Sequence, residues 1–84
     1  MLLVATSATL SISDAVFSRA RVVVARNGVL TITNGDSRPY VLLIGATPLR
    51  VAVKASRSIR LPQRGTFSIT CAKWPTLVSA VVVK

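Results

Sequence analysis

An alternation of more and less apolar residues with a period of two runs along most of the chain. It covers residues 2–12 and 66–71, for example, where every second side chain is the more apolar one. Successive side chains of a strand point to opposite faces, whereas a helix needs a period of about 3.6. Val, Ile and Thr, which favour strands, make up nearly a third of the sequence. The sequence therefore predicts an all-β protein.

Turn-forming residues divide this pattern into short strands. The predicted strands cover residues 2–12, 19–25, 29–33, 40–44, 50–54, 58–61, 66–71 and 78–83. Asn27-Gly28 predicts a tight hairpin, since both residues tolerate a positive φ. The two valines of residues 50–54 are expected to point inward from one strand. Seven or eight short strands at this spacing are typical of one small β-sandwich or barrel, residues 1–84.

The inventory of reactive side chains is small. There is no His, Cys71 is the only Cys, and Asp14 and Asp36 are the only acidic residues. A lone Cys forms no intrachain disulfide, and without an adjacent base it is not an activated nucleophile. Most zinc, hydrolytic and acid/base chemistry needs His or paired carboxylates. We therefore expect no enzyme activity and no bound cofactor.

Basic residues dominate the charged side chains. Eleven Lys and Arg residues against two acids give a net charge of +9. Such a charge favours a partner with a negative surface, and Arg pairs with carboxylates and phosphates alike. The charge therefore leaves protein and nucleic acid open as partners. The candidate partner-binding residues are Arg19, Arg21, Arg50, Lys54, Arg57 and Arg60.

No segment has the features of a membrane span or a signal peptide. The longest uncharged runs, residues 1–13 and 39–49, fall short of the roughly 18 apolar residues of a spanning helix. Residues 1–5 lack a basic start, and the Thr and Ser residues that follow dilute the hydrophobic run. A lone thiol without an export signal favours a reducing compartment. We expect no membrane association.

Two segments carry a family resemblance. Residues 28–41 contain Asn34-Gly35-Asp36 followed by Tyr40, and residues 65–77 read Gly-Thr-Phe-Ser-Ile-Thr-Cys-Ala-Lys-Trp-Pro-Thr-Leu before a Val-rich end. They resemble the stretches N-x-[DE]-x-x-x-H and G-T-Y-x-[FY]-x-C-x-x-H-P-x-M of the cupredoxins, the small blue-copper proteins, most of all those of the amicyanin and pseudoazurin group. The resemblance implies a Greek-key, cupredoxin-like β-sandwich over residues 1–84.

The resemblance also indicates where the family binds copper. In place of His, Cys, His and Met this chain has Tyr40, Cys71, Trp74 and Leu77. A blue-copper site needs two imidazoles and a thiolate, with a weak axial thioether. Only the thiolate remains. The resemblance therefore implies a cupredoxin-like fold without a metal, in which these side chains fill the former site as packing and Cys71 is a small buried apolar residue.

Several strands carry apolar residues on both faces. Residues 41–44 and 81–83 contain no polar position, and Val23 and Val29 fall on the side opposite their apolar neighbours. Exposed apolar patches mark protein interfaces. We therefore expect a non-catalytic structural or interaction module, present in several copies in a larger assembly such as a virion. Capsid decoration or cement protein is the specific hypothesis, with the virion or the cytoplasm as its location.

The expected partner is a capsid protein or another assembly subunit with an acidic surface, and the chain itself is expected to be homo-oligomeric or multi-copy. Two alternatives belong to other classes. Nucleic-acid binding agrees with the charge, although no aromatic residues for base stacking alternate with the basic ones. Residual copper binding or electron transfer through Cys71 ranks last.

Overall fold

Residues 5–84 form nine β-strands in two sheets. The computed structural model describes residues 5–84, and the strands are β1 (Ser7–Ser13), β2 (Val16–Phe17), β3 (Val22–Val24), β4 (Gly28–Asn34), β5 (Tyr40–Ile44), β6 (Thr47–Val51), β7 (Ser56–Leu61), β8 (Gly65–Thr70) and β9 (Val78–Val83). The predicted all-β sandwich is confirmed. Leu2 and Val4 of the first predicted strand, and residues 1–4 of the segment considered as a signal peptide, lie outside the described residues. Residues 5–84 contain no helix long and apolar enough to cross a membrane.

The strands form a four-stranded sheet, in the order β2-β1-β4-β7, and a five-stranded sheet, in the order β3-β9-β8-β5-β6. β1 pairs with β4 and β3 pairs with β9 in parallel, and the other neighbours are antiparallel. The inward side chains form one hydrophobic cluster that includes Leu10, Ile32, Leu42, Ile69 and Val81. The outer strands β6 and β7 face each other along one open side of the sandwich, where the Arg57 guanidinium donates to the Arg50 carbonyl.

Residues 5–84 contain one strand more than the eight predicted, because β2 was not among them. It has two residues, which pair with the end of β1 across a tight turn. A strand this short has no period that could be recognised in a sequence, because recognition needs about four to eight residues.

The Asn27-Gly28 hairpin prediction is wrong. Asn27 does adopt a positive φ of 67°, but β3 and β4, on either side of the pair, belong to different sheets. The turn is therefore a corner that carries the chain from one sheet to the other. A Cβ atom at Gly28 would lie 2.7 Å from the Ala25 carbonyl oxygen and 2.8 Å from that of Thr6, so the corner leaves no room for a side chain.

The predicted strand at residues 50–54 is also wrong in its second half. β6 ends at Val51, which is buried, and Val53 is 44% exposed. Lys54 has a φ of 55° in the following turn, and its ammonium group donates to the Gly35 carbonyl oxygen. The sequence alternation continues into this turn, so the pattern alone does not show where the sheet ends.

Candidate functional site

Asp36 ties two turns together at one end of the sandwich. Its carboxylate accepts hydrogen bonds from the backbone N–H groups of Asp14 (2.8 Å) and Ala15 (2.9 Å) and from the Tyr40 hydroxyl (2.5 Å). Asp14 and Ala15 both have positive φ angles, 53° and 57°, a conformation that L-residues adopt at a cost. The carboxylate thus holds the strained β1–β2 turn against the β4–β5 turn.

Asn34 connects the same end to a third turn. Its side chain is buried, and its amide nitrogen donates to the carbonyl oxygens of Arg38 (2.7 Å) and Ala52 (3.2 Å). Its amide oxygen accepts from the Asp36 N–H (2.9 Å). Because Ala52 lies in the β6–β7 turn, one polar side chain joins that turn to the β4–β5 turn. This region, the turns joined by Asp36 and Asn34, is called the linked end below.

The β8–β9 loop places its three candidate residues by two successive turns. The Trp74 N–H donates to the Cys71 carbonyl (3.2 Å), and the Leu77 N–H donates to the Trp74 carbonyl (3.0 Å). The spacing of three residues therefore brings the side chains of Cys71, Trp74 and Leu77 to the core. Cys71 and Leu77 are buried, and Trp74 is partly buried and packs against the same cluster.

The four positions at which cupredoxins bind copper come together in this structure as one packed group. Tyr40 belongs to the cluster with Cys71 and Leu77, and its ring meets that of Trp74 edge to face, with the centroids 6.3 Å apart. The Arg38 guanidinium lies 4.2 Å above the Trp74 ring, as a cation–π pair. Within residues 5–84, no three His, Cys, Asp or Glu side chains are grouped as metal ligands would be.

This chemistry does not suit copper. A phenol, an indole and an isobutyl group stand beside the single thiol, and none of them replaces a neutral imidazole. We therefore expect that titration of the reduced protein with Cu(II) gives no saturable one-to-one site and no intense thiolate charge-transfer band. Trp74→His should not restore binding, since a second imidazole is still missing. A stoichiometric blue species in either protein would contradict this expectation.

The hydrogen bond between Tyr40 and Asp36 shifts the pKa of both side chains. Together with the backbone donors Ala15 and Asp14, it lowers the pKa of Asp36 below its ordinary value of 3.8. Burial, and then the hydrogen bond to Asp36, raise the pKa of Tyr40 to about 12. The two shifts favour an ionised Asp36 and a neutral Tyr40.

These shifts predict the pH dependence of stability. The contribution of Asp36 is complete above its unfolded pKa and is lost as the pH falls through about 4 toward the lower folded value. That of Tyr40 is complete below about pH 10 and is lost as the pH rises toward 12. Unfolding midpoints measured across both ranges should show both losses. Asp36→Asn should remove the acid loss and Asp14→Asn, the control, should keep it; equal profiles for the two variants would refute the assignment.

The structure separates the six candidate basic residues into distinct places. Arg50, on β6, and Arg57 and Arg60, on β7, lie along the open side of the sandwich. Lys54 lies at the linked end and bonds to Gly35. Arg19 and Arg21 precede β3, the outer strand at the opposite edge of the five-stranded sheet. No single basic surface contains all six.

Sequence reasoning missed two parts of this region. Arg38 was not among the candidate partner-binding residues. Its stacking on Trp74 is a tertiary contact, which a local sequence pattern does not predict. Asn34 was noticed only as part of a family motif and a turn. The signal that could have identified it is a polar residue at the end of β4, where the alternation predicts an inward side chain: buried polar groups need partners.

Comparison with solved structures shows which known fold the chain shares. No family model matches the chain, and no curated protein matches it. Among solved structures, amicyanin from Paracoccus versutus is similar with a TM-score of 0.80 and 15% identity, over 96% of this chain and 90% of that one. A Cu(I) form of an amicyanin mutant has a TM-score of 0.79 and 17% identity, over 98% and 86%. The chain therefore has the cupredoxin-like fold that its sequence resemblance implies.

Proposed function

We propose that this cupredoxin-like sandwich is a metal-free, non-catalytic interaction module that docks on a protein with an acidic surface and is present in several copies in a larger assembly. The observation that carries the proposal is the outer face of the five-stranded sheet, called the five-stranded face below. It exposes large apolar side chains that the described part of the chain, residues 5–84, does not cover.

Four such side chains lie on the five-stranded face. Val41 and Val78 are 56% and 58% exposed, and Leu43 and Val23 are 39% and 37% exposed. The registers place Thr70 between Leu43 and Val78, and Val82 beside Val23. The remaining outward positions of this sheet are Pro48, Arg50, Thr66, Ser68 and Ala80. An apolar surface with a single charged residue is typical of a protein interface.

The outer face of the four-stranded sheet has a different composition. Its outward positions are mainly hydroxyl-bearing: Ser7, Thr9, Ser11, Thr31, Thr33, Ser56 and Ser58. Thr31 and Thr33 form hydrogen bonds across to Ser58 and Ser56 (2.9 Å each). In a sandwich with one solvent-facing sheet and one sheet at an interface, the two outer faces should differ in this way. Hydroxyl groups form hydrogen bonds with water, and apolar side chains do not. This contrast supports the five-stranded face as the docking side.

The charge distribution supports an acidic partner. Arg21 and Lys84 lie beyond the ends of β3 and β9, and Arg50 lies on β6, so basic residues border the five-stranded face. Both acidic residues, Asp14 and Asp36, lie in turns of the linked end. A partner with an apolar patch bordered by carboxylates would match this surface. A capsid decoration or cement protein in a virion is the specific form that we propose.

One substitution on each outer face tests the proposal. Leu43→Lys places a charge in the five-stranded face. Thr9→Lys, the control, places one in the outer face of the four-stranded sheet. Both positions are solvent-accessible, so both variants should fold. We expect the wild type and Thr9→Lys to sediment with the native assembly and Leu43→Lys to remain free. A photo-crosslinker at Val41 should label a peptide of that assembly that carries Asp or Glu. Equal sedimentation of the two variants would refute the docking side.

The nucleic-acid alternative makes a different prediction. A phosphate-binding surface would lose several orders of magnitude in affinity between about 50 and 200 mM salt, and each of several Arg→Ala changes would weaken it by similar steps. Under our proposal the arginines act locally against carboxylates, so most single changes should be silent. Tight, salt-sensitive binding of duplex DNA or RNA by the pure protein, with additive losses, would replace the assembly proposal. The titration with Cu(II) tests the copper alternative in the same direct way.

A further inference from the structure

A cavity of about 270 Å³ opens between the two sheets on the side where β6 and β7 face each other. Ile44 and Leu61 are buried residues that line it, and Ile59 and Phe67 are half-buried ones. Farther along the same side the Arg57 guanidinium reaches the Arg50 carbonyl (3.2 Å) and bridges the two strands. The open side is therefore bridged in one half and carries in the other a cavity with an apolar floor, whose lining also includes Thr47, Arg60 and Gln63.

Two glycines lie beside Phe67, one of the residues that line this cavity. A Cβ atom at Gly45 would lie 3.2 Å from Cδ1 of Phe67, and one at Gly65 would lie 3.7 Å from its Cζ. Both glycines have positive φ angles, 61° and 137°, which only glycine adopts readily. A side chain at either position would therefore contact the Phe67 ring, which is half-buried at the cavity.

The backbone of β7 has a free edge beside the cavity. The carbonyl oxygens of Leu61 and Ala55 accept hydrogen bonds from Asn27 and Asn34, at the two ends of β4. In an antiparallel strand, N–H and C=O of one residue point to the same side and the side alternates. The odd-numbered residues of β7 therefore bond to β4. The even-numbered residues Ser56, Ser58 and Arg60 direct their N–H and C=O groups away from β4, where residues 5–84 provide no further strand.

The charges along this side are all of one sign. Arg50, Arg57 and Arg60 belong to β6 and β7, and neither strand contains an acidic residue. Arg60 also lines the cavity. The carboxylates of Asp14 and Asp36 lie at the linked end, so they do not compensate the cations next to the cavity. A ligand at this edge would therefore meet N–H and C=O groups of β7 that residues 5–84 leave unpaired, a cavity lined by both apolar and polar side chains, and guanidinium groups.

We propose that an extended acidic segment of a partner protein binds here by adding a strand to β7. Its backbone would pair with Ser58 and Arg60, one apolar side chain would enter the cavity between Ile59 and Phe67, and the alternate acidic side chains would meet Arg60. Strand addition combines backbone hydrogen bonds for affinity with a pocket for every second side chain. This site goes beyond the proposed function, because it uses the edge of the other sheet and not the five-stranded face.

A synthetic peptide with the matching alternation tests the site. The probe is the acetylated, amidated hexapeptide Glu-Val-Glu-Phe-Glu-Val with a fluorescent label, and fluorescence anisotropy measures its binding to the pure protein. We expect saturable one-to-one binding that Ser58→Pro weakens at least about tenfold. Proline is tolerated on an edge strand where the N–H is free, so this change removes the pairing group and leaves the backbone bonds to β4, with the exposed Ser58–Thr31 hydroxyl bond as the one contact to β4 that is lost. Arg60→Gln should also weaken binding, and Arg26→Gln, in the β3–β4 corner, should not.

Changes in the peptide make the result independent of protein folding. N-methylation of one set of alternate residues should abolish binding and methylation of the other set should not, because only one set pairs with β7. A scrambled peptide with three consecutive Glu residues should bind at least about tenfold more weakly. No binding, or equal binding of the scrambled and both methylated peptides, would overturn the proposal. Leu43→Lys should bind the probe normally, so failure of this site and failure of the five-stranded face remain distinguishable.

Discussion

Replacement of Tyr40 by alanine is expected to cost about 3 to 5 kcal/mol of the free energy of unfolding, because truncation of a buried aromatic residue leaves a cavity in the core. Tyr40 is 2% exposed, touches the Trp74 ring and belongs to the central hydrophobic cluster. Domains have total stabilities of only about 5 to 15 kcal/mol, and small ones lie near the lower limit. The variant should therefore be close to unfolded at room temperature.

Two further variants separate the ring from its hydroxyl group. Tyr40→Phe keeps the packing and loses only the hydrogen bond to Asp36, so it should cost about 1 kcal/mol. Trp74→Ala should cost less than Tyr40→Ala, since the indole is only partly buried. Denaturant unfolding of all three proteins gives these values from midpoints at a constant slope. A loss below about 1 kcal/mol for Tyr40→Ala would show that this position, at which cupredoxins bind copper, is not part of the core here.

The second large effect is expected at Asn34. Asn34→Leu keeps the branched shape and the number of heavy atoms of the side chain but leaves the Arg38 and Ala52 carbonyls and the Asp36 N–H without their partner. Each buried polar group that loses its partner costs about 1 to 3 kcal/mol, and water can reach some of these at the turn, so we expect about 2 to 4 kcal/mol in total. The β4–β5 and β6–β7 turns would also lose their connection at the linked end.

Ser79 provides the matched control for Asn34. It is also buried, and it makes one hydrogen bond, from its hydroxyl to the Arg19 carbonyl (2.9 Å). Ser79→Ala should therefore cost only about 1 kcal/mol. Hydrogen exchange of the two variants should show faster opening at the linked end for Asn34→Leu alone. Equal stabilities for the two variants would mean that the connection between the turns contributes little.

Most strands and the composition of the candidate site were predictable from the sequence. The alternation predicted β1, β4, β5, β7, β8 and β9, with bounds within a few residues of those in the structure. A half-buried strand requires a period of two wherever it lies in the fold. The family motifs located Tyr40, Cys71, Trp74 and Leu77, which the structure groups at one end of the core. The absence of His also followed from the sequence, and with it the exclusion of an ordinary blue-copper ligand set.

The sheet to which each strand belongs was not predictable in the same way. Asn27-Gly28 has the conformational preference of a hairpin turn, and Asn27 takes the positive φ, yet the turn joins two different sheets. A turn residue acts on its own φ and ψ angles, whereas strand pairing depends on contacts between distant segments. β3 pairs with β9, nearly sixty residues later, and no property of residues 22–28 contains that information.

The sequence by itself determined the strand character of the chain, the small set of reactive side chains and the excess of positive charge, since each of these depends on residue type and local spacing alone. Only the tertiary structure decided which apolar face is covered, that Asp36 holds the turn at Asp14, and that the arginines of β6 and β7 lie beside one cavity. These features bring together residues that are far apart in sequence. Their positions follow from the packing of two whole sheets, which no local pattern encodes.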